Sequence, residues 1–180
     1  QSSKNGLAAF VKFAQLIPAL SYEKVIPDYI VNSNEEVLIG LLDGLFSTAG
    51  NVNLTSKNGY QIRLGSTSLE LLQQTRRILL YFGIHASIHE SAASPIIQGR
   101  KINAKRKYVL MFYGQSIKRF IERIKLSHPD KQIKIEYLKQ WGSLHGNLWR
   151  TKIKSIEPAG EADVYDLFEP VSDSWITDGY

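Results

Sequence analysis

The stretch 33–53, SNEEVLIGLLDGLFSTAGNVN, constrains the fold more than any other part of the chain. Ser33 followed three residues later by Glu36 is a capping box, which predicts a helix start. Gly40 and Gly44 lie one turn apart in the apolar run that follows. A glycine inside a helix costs about 1 kcal/mol relative to alanine. Two on one face predict the close approach of another backbone. Gly50 closes the helix. Val52 and Leu54 then alternate with Asn51, Asn53 and Thr55, so a strand begins at once.

The same kind of reading extends along the chain. Leu7, Phe10, Val11 and Ala14 recur at helical spacing up to Pro18, and a connector leads to residue 33. After a turn at 56–59, Tyr60, Ile62 and Leu64 alternate with Gln61 and Arg63, which predicts a hairpin with one apolar and one polar face. Thr67 with Glu70 is a second capping box, opening a helix over 68–82 that Gly83 stops. A strand over 84–89 carries Ile84, Ala86 and Ile88 on one face and His85, Ser87 and His89 on the other. A loop with Pro95 and Gly99, a strand over about 105–113 and a helix over 116–126 follow. The order is α-β-β-α-β-β-α, an α+β chain. Residues 148–157 read as a strand and 158–160 as a turn. Three parts are expected: 1–32, an N-terminal helix and connector; 33–142, the central repeat; and 143–180, a C-terminal segment.

With no cysteine there is no disulfide framework, thiol nucleophile or thiolate zinc site. Four scattered histidines make no metal motif. No apolar run reaches the ~20 residues of a membrane span, and the N-terminus does not read as a signal peptide. A cytoplasmic protein without membrane association is expected. The net charge of +5 permits a polyanionic partner without requiring one. The polar face of the first hairpin offers Asn51, Asn53, Thr55, Gln61 and Arg63. Such side chains suit adenine and guanine edges, and equally the solvated face of an antiparallel sheet. Arg100, Lys101, Lys105, Arg106 and Lys107, beside Tyr108, either neutralise phosphates or keep a loop soluble.

The segment LDGLFSTAGNV, 42–52, resembles the LAGLIDADG homing endonuclease family in its variant LxGLFDADGSV. Leu42, Gly44, Leu45, Phe46, Gly50 and Val52 fit, while the two acidic positions hold Ser47 and Ala49. A second register, LIGLLDGLF from Leu38, fits Leu38, Gly40, Leu41 and Asp43 but puts Phe46 where the terminal glycine belongs. The element order extends the resemblance over about 26–138. It implies a saddle-shaped antiparallel sheet on double-stranded DNA. It also implies a second LAGLIDADG repeat packed against Gly40 and Gly44, supplied by a missing N-terminal segment or by a second copy. In the family an acid at each helix end ligates Mg²⁺. Ala49 cannot do so, Ser47 is a poor substitute, and Asp43 lies roughly 9 Å back along the helix from Ala49. Weak Mg²⁺ binding and a cleavage-defective half-site are expected.

The last residues, VYDLFEPVSDSWITDGY (164–180), resemble the C-terminal splicing block of an intein: VYDLxV, a gap, HxFxxNG, then His-Asn. Val164, Tyr165, Asp166 and Leu167 fit the first part. Asp173, Trp175 and Asp178-Gly179 take the second, with Asp173 where histidine is common. The resemblance implies a short all-β, Hint-like segment in which Asp166 and Asp173 sit near the C-terminal scissile amide as proton acceptors or orienting groups. Inteins begin with Cys or Ser, and Gln1 is neither. An N-terminal intein half is therefore expected outside this chain, as is the terminal His-Asn. The expected function is DNA binding by a degenerate endonuclease repeat within a partial splicing element. A free-standing homodimeric LAGLIDADG DNA-binding protein or endonuclease is the first alternative. A non-catalytic α+β interaction module is the second.

Overall fold

In a computed structural model the described residues are 20–54, 59–91, 96–97, 100–101, 106–140, 153, 155–158 and 160–161. The elements are α1 (Asp28–Val31), α2 (Glu35–Thr48), β1 (Gly50–Asn53), β2 (Gln61–Ser66), α3 (Leu69–Tyr81), β3 (Ser87–Ser91), β4 (Ile96–Ile97), β5 (Arg100–Lys101), β6 (Lys107–Tyr113), α4 (Gln115–Arg123) and α5 (Pro129–Lys139). The expected helix before Pro18 and most of the C-terminal segment over 143–180 lie outside the described residues; of the strand expected over 148–157, residues 153 and 155–157 are described and none is in a strand.

Alternation along the strands divides the sheet into two faces. β1, β2, β6 and β3 pair in that order, all antiparallel. Directly opposed residues share a face, so the register defines rows. Val52, Ile62 and Phe112 form one apolar row; Leu64, Leu110 and Ile88 form the next. Helices cover this side, with Leu38, Leu42 and Phe46 from α2, Leu72 and Leu79 from α3, Ile117 and Phe120 from α4, and Ile135 and Leu138 from α5. Phe46 stands edge-on to Phe112 (ring centroids 5.8 Å apart) and to Phe120 (5.0 Å). All three rings are fully buried. Burying such a side chain is worth about 1.5–3 kcal/mol.

Both helix caps fall one residue after the expected ones. Asn34, not Ser33, caps α2: its side-chain oxygen accepts from Val37 N at 3.1 Å. Ser33 instead donates its hydroxyl to Tyr29 O at 2.5 Å. Ser68, not Thr67, caps α3, accepting from Leu71 N at 3.1 Å. The Ser68 hydroxyl also donates to Lys24 O at 2.6 Å, a tertiary contact that selects it over its neighbour. The Gln74 amide continues the tie, accepting from Ile26 N (2.7 Å) and donating to Ile26 O (3.0 Å).

The strand expected from residue 84 starts later because α3 ends in a Schellman turn. Gly83 takes φ +69°. Gly83 N donates to Leu80 O at 2.7 Å and Ile84 N to Leu79 O at 2.9 Å, the two bonds of that motif. Ile84 is buried as the apolar residue after the turn rather than as a strand residue. The short pair β4–β5 and helix α5 stand beyond the seven-element order read from the sequence.

The glycines of the opening segment divide into two kinds. A Cβ at Gly50 would lie 2.5 Å from Phe46 O and 2.7 Å from Phe46 Cα, so only glycine lets β1 leave the end of α2 this tightly. Among the described residues, a Cβ at Gly40 or Gly44 would meet nothing within 4 Å. Gly50→Ala is expected to destabilise the chain by about 1–3 kcal/mol in urea unfolding. Gly44→Ala is expected to be neutral, or to stabilise by up to about 1 kcal/mol from helix propensity. Equal losses in the two variants would contradict this assignment.

Candidate nucleic-acid interface

The second face of the sheet carries no described helix. Its rows follow from the register: Asn53, Gln61 and Tyr113; Asn51, Arg63, Met111 and Ser87; Gly65, Val109 and His89; then Lys107 and Ser91. No Asp or Glu is among these residues. The hairpin residues Asn51, Asn53, Gln61 and Arg63 thus come together on one surface, with Lys107 at its other end. Tyr113 is 65% exposed. Ser87 Oγ and His89 Nε2 are hydrogen-bonded at 2.9 Å. The Gln61 side-chain oxygen accepts from Arg63 Nε at 2.8 Å and also from Arg63 Nη2. That pair presents a held guanidinium, with the amide oxygen already engaged.

Other expected contacts fall elsewhere. Arg106 is exposed and pairs with Glu90 at 3.5 Å, a surface ion pair of small worth. Arg100 and Lys101 form β5, outside the four-stranded sheet. His85 precedes β3, and its backbone N–H donates to Ser116 Oγ at 3.0 Å. Burial, with Arg119 nearby, holds the His85 ring below the usual histidine range. Thr55, Lys105, Asp166 and Asp173 lie outside the described residues.

The end of α2 is built from hydrogen bonds that cross the chain. Asp43 Oδ1 accepts from Ser47 Oγ and from Ser127 N, both at 2.7 Å, and Asp43 Oδ2 accepts from Ser127 Oγ. Ser47 Oγ in turn accepts from His128 N at 3.2 Å. Lys131 Nζ donates to Phe46 O (3.1 Å), Ser47 O (2.7 Å) and Thr48 O (3.2 Å). An ammonium suits this position, where unpaired carbonyls carry the negative end of the helix dipole. Burial pushes Lys131 down from its ordinary value, and Lys134 adds to that. Ala49 caps the helix as an exposed methyl. The donor set at the helix end is therefore a methyl group, a hydroxyl bonded within the chain, and carbonyls facing an ammonium. Among the described residues no group of three or more His, Cys, Asp or Glu could hold a metal ion. None of the described helices is long and apolar enough to cross a membrane.

Sequence reading missed Lys131 and Ser127. Asp43 and Ser127 are 84 positions apart, and no local periodicity announces such a contact. The only local signal is Pro129 at the first position of α5, which marks the helix start and not its partner.

Along α2, Gly40 and Gly44 lie on an uncovered stripe with Val37, which is 44% exposed. Thr48 turns its hydroxyl back to Gly44 O at 2.7 Å. The stripe has a smooth, low profile.

Burial raises the Asp43 carboxyl, but the hydrogen bonds from Ser127 and Ser47 outweigh it, so the group sits below its usual 3.8. A carboxylate depressed by folding stabilises above its unfolded pKa, and that contribution is lost as the pH falls through the folded one. Asp43→Asn is expected to cost about 1–3 kcal/mol at pH 7, with the gap to the parent closing in acid below 3.8. Urea unfolding at pH 7 and pH 3 tests this; a constant gap would place the effect outside the carboxylate.

Residues 36–125, half of the chain, match the model of the LAGLIDADG-like domain. The chain is 36% identical over 113 residues to the ATP-dependent DNA helicase Hel308 of Methanocaldococcus jannaschii, covering 61% of this chain and 9% of the helicase. It is 27% identical over 110 residues to Protein RecA of Mycobacterium tuberculosis, covering 58% of this chain and 14% of that protein. It is 34% identical over 67 residues to the ribonucleoside-diphosphate reductase NrdEB subunit alpha of Bacillus subtilis, covering 37% of this chain and 6% of that protein. The chain thus spans only a small fraction of the length of each relative. With an α+β build, a four-stranded antiparallel sheet, a glycine-bearing helix that passes into the first strand at Gly50 and a family match over half its length, the chain belongs to the LAGLIDADG-like family.

Proposed function

We propose that this chain is the C-terminal part of an intein, whose degenerate homing-endonuclease repeat binds double-stranded DNA without cutting it. The observation that carries the DNA reading is the open sheet face. It holds a guanidinium, amides, hydroxyls and a lysine, and no carboxylate among its described residues. Such a face complements phosphates by charge and base edges by hydrogen bonding. Gly40 and Gly44 leave the stripe of α2 low enough for a second helix, which in this reading belongs to a second LAGLIDADG repeat.

The intein reading rests on two supports. The matched stretch is 6–14% of a helicase, a RecA protein and a reductase subunit, the pattern expected of one module carried inside unlike hosts. Residues 164–180 carry the splicing-block resemblance. In this reading 33–142 is the DNA-binding repeat and 143–180 the splicing segment, in which Asp166 and Asp173 act beside an N-terminal half. The loss of cleavage follows from the end of α2. Metal-assisted phosphodiester hydrolysis needs a held cation to activate water, and Mg²⁺ needs hard oxygen ligands, usually including a carboxylate. Ala49 offers none, and Lys131 puts a positive charge on the neighbouring carbonyls.

Duplex DNA is expected to bind at low salt, with affinity falling linearly in log–log plots against salt concentration. Arg63→Ala should weaken sequence-specific binding by about 1–3 kcal/mol, read by fluorescence anisotropy. The duplex should stay intact with Mg²⁺; double-strand breaks made by this chain alone would overturn the loss of cleavage. Absence of binding even at low salt favours the interaction module. The parent gene read past codon 180 should give His-Asn followed by Cys, Ser or Thr; an immediate stop favours the free-standing homodimer. Gly44→Leu should weaken association with the second repeat in light scattering, because the larger side chain holds the helices apart.

A further inference from the structure

The open face is polar at its margins and apolar at its centre. β6 is an inner strand, and its two middle residues on this face are Val109 and Met111. Both are half-buried by their neighbours, although no described helix covers them. Met111 stands between Arg63 and Ser87, and Val109 between Gly65 and His89. Gly65 lowers the surface beside Val109, where a Cβ would meet the end of the Lys107 side chain, Cε at 3.4 Å and Nζ at 4.0 Å.

A sheet face turned only to water gains little from valine and methionine at its centre. A DNA major groove offers one apolar group on its base edges, the C5 methyl of thymine. Resting on the reading of this face as a DNA-binding surface, we propose that Val109 and Met111 determine specificity by packing on thymine methyls next to a guanine held by Arg63. The spacing agrees. Neighbouring strands lie about 4.8 Å apart and base pairs about 3.4 Å apart. Arg63 and Met111, opposed across two strands, therefore address base pairs within about two steps of each other. Gln61 engages two nitrogens of Arg63, so the guanidinium is held in place before DNA arrives.

The test begins with duplexes recovered by the full chain from a randomised library. In the best-bound duplex each thymine is replaced, one at a time, by deoxyuridine, which pairs identically but lacks the methyl. Affinity should fall about fourfold at one or two thymines within about two steps of a guanine, the worth of one buried carbon. Met111→Ser and Val109→Ser should each abolish one thymine-to-deoxyuridine difference while keeping the guanine preference. The deoxyuridine series on the unaltered protein is independent of whether these variants fold. Recovered duplexes that share a sequence yet tolerate deoxyuridine everywhere overturn this inference and leave DNA binding standing. If no duplex is retained at low salt, the DNA reading itself falls, and the methyl readout with it.

Discussion

The carbonyl end of α2 is the knot on which the rest of the repeat depends. One helix turn there meets three separate parts of the chain. Phe46 sends its ring between Phe112 of β6 and Phe120 of α4. Its carbonyl and the next two face the Lys131 ammonium from α5. Its backbone presses so closely on residue 50 that a side chain there has no room. Aromatic packing, a charged cap and a steric limit thus act within five residues. Each constrains the same object: the direction in which the chain leaves the helix and enters the sheet.

Ser47 and Ala49, the two positions that the LAGLIDADG resemblance would give to acids, have different surroundings here. Ser47 has become part of the internal wiring, donating to Asp43 and accepting from His128 N. A carboxylate in its place would put a second negative charge beside Asp43, which like-charge repulsion disfavours. Ala49 is exposed and bonded to nothing through its side chain, so the helix end tolerates it without rearrangement. The architecture therefore does not need the acids to stand. Its cohesion comes from the aromatic cluster and from contacts of α5.

Much of this was legible in the sequence where the signal is periodic. Val52, Ile62 and Leu64 alternate with Asn51, Gln61 and Arg63; the sheet buries the first three, exposes Asn51 and leaves Gln61 and Arg63 half-buried. Gly83 marked its helix end because only an achiral residue takes φ +69° without strain. The caps were legible only to within one residue. Ser33-Asn34 and Thr67-Ser68 each offer two adequate side chains, and backbone outside the new helix takes one of each pair: Tyr29 O engages the Ser33 hydroxyl, and Lys24 O recruits Ser68. The cross-chain bonds of Asp43 and Lys131 left no local trace at all. The glycine pair was read as a place where another backbone comes near. Among the described residues nothing comes within 4 Å of an added Cβ at either site, so no described backbone makes the approach that the pair was read to need.

The junction between α2 and β1 contains no loop. The helix ends at Thr48, Ala49 caps it, and the first strand starts at Gly50. Three bonds from Lys131 and the close approach to Phe46 take up the remaining freedom. Helix and sheet therefore move as one lever, with no hinge to absorb a change in angle. If a second repeat packs on the stripe, as proposed, the crossing angle it takes on the small residues of α2 is passed directly to the tilt of the open sheet face.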